Sequence, residues 1–175
     1  AWKLGVAVKL VQVQHDSIEE KFYINTKLGR INVTSSKNAL NGYQKSKCFF
    51  CFDYISIIKR SLNLCNVDHF FPDTLKSKDF PGYVDGIWNL VLACKNCNRG
   101  EGGKFAKVPS LKFLERLNRR NEYFCSSHHP LRETIMSQTG QTKDQRTKFL
   151  QKCYNSAKSK LIHNWDVEPK GTSIF

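Results

Sequence analysis

Four cysteines stand in two pairs, Cys48–Cys51 and Cys94–Cys97, each with C-x2-C spacing, and an acidic residue and a histidine sit side by side at Asp68–His69. Asn89 precedes the second pair, and Asn98 follows directly after Cys97. Four thiolates can surround one Zn²⁺ tetrahedrally at about 2.3 Å each, leaving no open coordination position, which marks a structural site. A redox pair or four unliganded buried thiols are the other readings of the cysteines. Neither knuckle lies in a thioredoxin-like βαβ pattern, and redox motifs rarely come in twos. The 42 residues between the knuckles mean that a zinc ion would clamp distant segments of chain. Cys65, Cys125 and Cys153 stand alone and read as small core residues.

Asp68 and His69 are wedged into "NVDHFFP", and polar groups buried beside phenylalanines are costly unless something holds them. One reading is a structural pair, with the aspartate fixing a core histidine. The other is chemistry. Hydrolysis of a phosphodiester needs a base to activate water and a cation to stabilise developing charge. An imidazole is a suitable base near neutral pH. A carboxylate and an amide oxygen, from Asp68 and Asn98, are hard donors suited to Mg²⁺ or Mn²⁺. Successive side chains on a strand face opposite ways, so bringing both Asp68 and His69 to one ion predicts a twist or bulge there.

The whole string, "VDHFFP" followed by "WNLVLACKNCNRG" between two C-x2-C knuckles, resembles the HNH endonucleases, also called ββα-metal or His-Me finger nucleases, over residues 48–104. The resemblance implies an α+β fold with a ββα-metal core stapled by a structural zinc on the four cysteines. It implies His69 as general base, Asp68 and Asn98 as ligands of a catalytic Mg²⁺ or Mn²⁺, and Asn89 holding the loop opposite His69, orienting the imidazole through a carbonyl. It also implies products with 5′-phosphate and 3′-hydroxyl ends. Many members carry histidine where Asn98 stands. Others carry asparagine followed by Arg-Gly, as here, including the HNH domains of RNA-guided DNA nucleases. "ALNGYQKSKCFFC" and "SHHPLRETI" are similar to a bacterial subgroup, which brings defence against foreign DNA into view beside restriction, guided cleavage and homing.

Charge points the same way. The 175 residues carry 28 Lys and Arg against 15 Asp and Glu, a net +13, and residues 95–160 hold 15 basic against 5 acidic residues. Such a balance suits a polyanion, since neutralised phosphates release counterions; solubility alone is the plainer explanation. Arg99 and Lys104 beside the motif, and Arg116, Arg119 and Arg120 in "RLNRR", are candidate phosphate contacts, although a solvated face reads equally well. Double-stranded DNA is the expected substrate. RNA cleavage, or a zinc-stabilised nucleic-acid-binding module without chemistry, are the alternatives. No helix-turn-helix or finger array is visible, so targeting would come from a partner protein, from loop 73–87 or from sequence preceding Ala1. There is no long apolar run and no visible leader, so a cytoplasmic protein without a membrane span is expected.

The elements that must position these residues divide into three segments. Residues 1–47 form an N-terminal extension. It has a strand pattern over 4–10, a capping box at Ser17–Glu20 and a short helix from Thr34 ended by Gly42. Residues 48–108 form the zinc-stapled core, with β-rich stretches around both knuckles. Residues 109–175 form a basic helical extension. Pro109 opens a helix whose apolar face is Leu111, Phe113, Leu114 and Leu117. Pro130 opens a second helix, ended by Gly140. A capping box at Thr142–Gln145 precedes Phe149, Cys153, Ala157 and Leu161, spaced by four. His128–His129 reads as structural or surface, and the tail after His163 shows little pattern.

Overall fold

The computed structural model describes residues 34–175, with side chains from Lys37 onward except Ser77, and upstream of these the backbone of three strands. Those strands are β1 (Val13–Asp16), β2 (Lys21–Thr26) and β3 (Gly29–Asn32), an antiparallel sheet in the order β1-β2-β3. The strand expected over 4–10 and the capping box at 17–20 lie outside the described residues. Among the described residues the fold is mixed α+β, with five α-helices and small sheets.

Helix α1 (Thr34–Gln44) runs through Gly42 instead of stopping there. A glycine inside a helix costs only about 1 kcal/mol relative to alanine. Gln44, fully buried in the final turn, offsets that cost: its Nε2 donates to the Lys47 and Leu92 carbonyls, both at 2.8 Å, and its Oε1 accepts from Leu92 N. The helix ends at Gln44, and the next two residues, Lys45 and Ser46, adopt positive φ.

The stretch from Cys48 to Leu64 is a knuckle and loops joined by two isolated bridges, Lys47↔Tyr54 and Ser56↔Leu64, and not the strand its composition suggested. Strand β4 (Asn66–His69) follows. After a 3-10 turn at Asp73–Ser77 and another at Ile87–Asn89 comes β5 (Leu90–Ala93). β4 and β5 pair antiparallel with Asn66 opposite Ala93 and His69 opposite Leu90. All four residues of β5 are buried, as expected of a short apolar run that carries no alternation. The short helix α2 (Lys95–Arg99) leaves the end of β5.

Three longer helices complete the fold: α3 (Leu111–Ser126), α4 (Arg132–Thr139) and α5 (Lys143–Lys160). Pro109 does not open α3. It lies in β6 (Val108–Pro109), and Ser110 takes the N-cap position. The buried stripe of α3 also differs from the expected one. It keeps Phe113 and Leu117, with Leu114 partly buried beside them, and continues through Arg120, Asn121, Phe124 and Cys125, while Leu111 is 56% exposed. A buried arginine and asparagine extend the covered face beyond its apolar residues. Helix α4 begins two residues after Pro130 and ends at Gly140, whose φ of 143° few other residues adopt readily. Helix α5 carries the expected capping box, with Gln145 N donating to Thr142 Oγ1 and the Gln145 side chain accepting from Thr142 N. Cys153 and Ala157 are fully buried on its inner face, and Phe149 packs edge-on against Trp88.

The tail is ordered by packing. Asn164–Trp165 forms β7, parallel to β6, and Trp165 is buried edge-on to Phe50 and stacked on Phe113. Phe175 packs among Tyr43, Phe49 and Phe52. One contiguous core runs from Leu40 through both knuckles and β5 to Trp165. Each large apolar side chain wholly buried in it contributes about 1.5–3 kcal/mol. Among the described residues, no helix is long and apolar enough to cross a membrane.

Candidate functional site

The four knuckle cysteines are buried, reduced and gathered, with all four sulfurs within 4.8 Å of one another. Cys51 Sγ and Cys94 Sγ lie 3.8 Å apart. Four sulfurs at about 2.3 Å from a central tetrahedral ion would be separated by about 3.8 Å. The cluster can therefore hold a metal ion and is compatible with structural zinc. Backbone amides point at the sulfurs: Cys94 N donates to Cys48 Sγ (3.3 Å) and Cys97 N to Cys94 Sγ (3.4 Å). Such bonds favour the charged thiolate, the form a metal needs.

Three elements brace the first knuckle. Phe49 N donates to the Leu92 carbonyl of β5. Arg116 of α3 donates to the Phe49 and Phe50 carbonyls, and its guanidinium lies 4.2 Å from the centre of the Phe52 ring. Lys170 N and Gly171 N of the tail donate to the Cys51 carbonyl. Arg120, also on α3, is fully buried. It donates to the carbonyls of Leu90, Trp88 and Ile87 and to Asn121 Oδ1. Arg120 is thus an internal staple and not the phosphate contact its cluster suggested, while Arg116 is half-buried and spends its guanidinium on the knuckle carbonyls. Arg119, between them, is exposed.

Pairing with β5 places Asp68 and His69 at the end of β4. The ladder runs in register through His69↔Leu90, so of the expected twist or bulge the bulge is absent. β4 is an edge strand in its two-stranded sheet. Val67, Asp68 and His69 all border one cavity of about 470 Å³. Asp73, Asn98, Arg99 and Phe105 line the same cavity.

Asp68 is buried, and burial raises its carboxyl above the usual aspartate range against the opposing pull of Lys104. Lys104 is not on the surface. It is completely buried, with Nζ 3.3 Å from Asp68 Oδ2 and donating to the carbonyls of His69 (2.9 Å) and Phe105 (3.2 Å). Two of its three N–H groups go to those carbonyls, and the ammonium pairs with the buried Asp68 Oδ2. Asn98, on α2, is 7% exposed and, among the described residues, no group hydrogen-bonds its side-chain amide. Phe105 N donates to the Asn98 carbonyl, which fixes the backbone there. Asp68 and Asn98 therefore offer two oxygen donors to one cavity, and Arg99, exposed at its rim, offers a cation.

His69 Nε2 lies 2.9 Å from Asp85 Oδ1. Asp85 also receives Lys76 Nζ at 2.8 Å, and Lys76 bonds Asp73 as well. His69, Asp73 and Asp85 are close enough to share a cation, and the Lys76 ammonium supplies one. Burial raises the Asp85 carboxyl, but the bonds from His69 and Lys76 outweigh it and hold its pKa below the ordinary value. Asp85 is the functional candidate that sequence reasoning missed. It lies sixteen positions past His69 in a loop with no motif of its own.

Asn89 does hold the loop, though it does not touch the imidazole. Its Oδ1 accepts from Phe71 N (2.8 Å), and its Nδ2 donates to the Phe71 (3.0 Å) and Val84 (2.8 Å) carbonyls. It closes the base of residues 72–83 and sets down Val84, the neighbour of Asp85. The carbonyl of Asn89 accepts from Phe70 N instead of orienting His69. His129 has a local role: Nδ1 accepts from Leu131 N and the ring packs on Phe124.

Compared with protein-family models, with curated proteins and with solved structures, the chain finds no match in any of the three.

Proposed function

We propose that the chain is a metal-dependent endonuclease of the HNH, or His-Me finger, kind that hydrolyses DNA phosphodiester bonds. The observation that carries this reading is the convergence on one cavity of an imidazole, a buried carboxylate, an amide with no hydrogen-bond partner among the described residues, and an arginine. The succession β4, β5, α2, held at both ends by the cysteine cluster, supports a ββα-metal finger stapled by structural zinc.

The donor set fits a hard divalent ion. Asp68 and Asn98 both line the cavity, and both carry a hard oxygen donor. Bound there, Mg²⁺ or Mn²⁺ would neutralise charge on the phosphate and the leaving oxygen. Lys104 keeps the buried Asp68 carboxylate from standing uncompensated and ties it to the backbone at His69 and Phe105. His69 takes the proton of the attacking water. Arg99 contacts a phosphate at the cavity rim, and the exposed Arg119 adds to a basic surface that grips the backbone without reading bases.

The test is plasmid cleavage with Mg²⁺ or Mn²⁺, by the wild type and by His69→Ala. Nicking by the first and not the second supports the enzyme. Binding with no nicking by either supports a zinc-stabilised nucleic-acid-binding module. RNA offered beside DNA decides the substrate class.

A further inference from the structure

We propose that Asp85 is the positioning residue for His69: its carboxylate accepts the Nε2–H of the imidazole, which directs the Nδ1 lone pair to water. This inference rests on the nuclease reading for its effect on rate, but its geometry stands by itself. Asp85 Oδ1 is 2.9 Å from Nε2, within ordinary hydrogen-bond range. An ionised carboxylate only accepts, so the proton on this bond belongs to the ring. The other ring nitrogen is then the basic one, because in a neutral imidazole one nitrogen donates and the other accepts.

The carboxylate is itself held. Lys76 donates to the same oxygen and to Asp73, and Asn89 fixes the preceding residue through the Val84 carbonyl. The Lys76 ammonium also keeps Asp85 charged. The sequence resemblance implies a backbone carbonyl in this role. A carboxylate changes the chemistry, because it stabilises the imidazolium that forms when His69 takes a proton, whereas a carbonyl offers only a dipole. In this chain the orienting group is on the loop between β4 and β5, so the order of that loop governs the base.

The experiment uses the full zinc-loaded chain, uniformly ¹⁵N-labelled, as wild type, Asp85→Ala and Asp85→Glu. Imidazole ¹H–¹⁵N spectra report the His69 Nε2–H, and single-turnover cleavage and DNA-binding assays run beside them. The wild type is expected to show an exchange-protected Nε2–H and an unprotonated Nδ1. Asp85→Ala should lose the protected proton and about 10- to 100-fold in the cleavage rate constant, with DNA affinity unchanged. Asp85→Glu should recover part of both. Zinc content and far-UV circular dichroism show whether each variant has folded. If Asp85→Ala is misfolded, Asp85→Glu and the wild-type spectrum carry the test. A folded Asp85→Ala variant that cuts at the wild-type rate overturns the proposal, as does a wild-type spectrum with Nδ1 protonated. A wild type that shows the protected Nε2–H but cuts no nucleic acid upholds the Asp85–His69 coupling and overturns the nuclease reading instead.

Discussion

Arg120→Ala separates two accounts of the basic cluster on α3. If Arg120 faces DNA, the substitution weakens binding and leaves the fold alone. The structure instead buries the side chain completely and aims its guanidinium at backbone carbonyls around the start of β5. A hydrogen bond to a charged donor contributes about 1.5–3 kcal/mol. Counting the bonds to the Leu90 and Trp88 carbonyls, and setting aside the longer one to Ile87 at 3.4 Å, the loss is about 3–6 kcal/mol. For a chain of this size each kcal/mol moves the melting temperature by about 2–4 °C, so a drop of about 6–24 °C is expected. Against a total stability of about 5–15 kcal/mol, the variant stands near the folding threshold. The assay is thermal unfolding of the zinc-loaded protein, paired with DNA affinity across a salt series. Arg119→Ala is the control. That side chain is exposed, so its loss should leave the melting temperature in place and reduce the salt slope by about 1. Arg120→Ala with unchanged stability and a reduced salt slope would refute the reasoning.

Cys94→Ser removes one ligand from the cysteine cluster and the sulfur that accepts from Cys97 N. It should abolish cooperative unfolding and the retention of one zinc per chain, measured by circular dichroism and metal analysis; an unchanged melting temperature would rule out the clamp. Gly171→Ala would place a Cβ 2.1 Å from the backbone carbonyl oxygen of Phe52, which cannot rotate aside, so the tail must move off the knuckle. A loss of about 1–3 kcal/mol is expected in urea denaturation, with faster proteolysis of the last residues. Asp85 makes stability depend on acid. Its folded pKa lies below the ordinary aspartate value of about 3.9. The stability it contributes is therefore present above that value and lost as pH falls through the lowered one. The gap in urea midpoint between wild type and Asp85→Asn should hold from neutrality to about pH 5 and close in strong acid; a gap that stays constant would show that ionised Asp85 contributes nothing.

What could be read along the chain was whatever depends on near neighbours in sequence. The paired thiols of Cys48–Cys51 and Cys94–Cys97, the capping box at Thr142–Gln145 and the four-residue spacing behind it are short-range patterns, and each has a local physical cause. The adjacency of Asp68 and His69 and the position of Asn98 after the last cysteine were visible in the same way. Tertiary structure decided the rest. Whether an arginine meets phosphate or a carbonyl depends on which helix face is covered, and the polar Arg120 and Asn121 disguised the buried stripe of α3. Lys104 looked like a surface cation because only the closed fold brings its ammonium to the Asp68 carboxylate. Asp85 had no motif to mark it. It meets His69 because Asn89, itself placed by the β4–β5 pairing, draws the two ends of the intervening loop together. Contacts that cost chain entropy to close are offset by burial elsewhere in the core, so they leave no signature in the residues that make them.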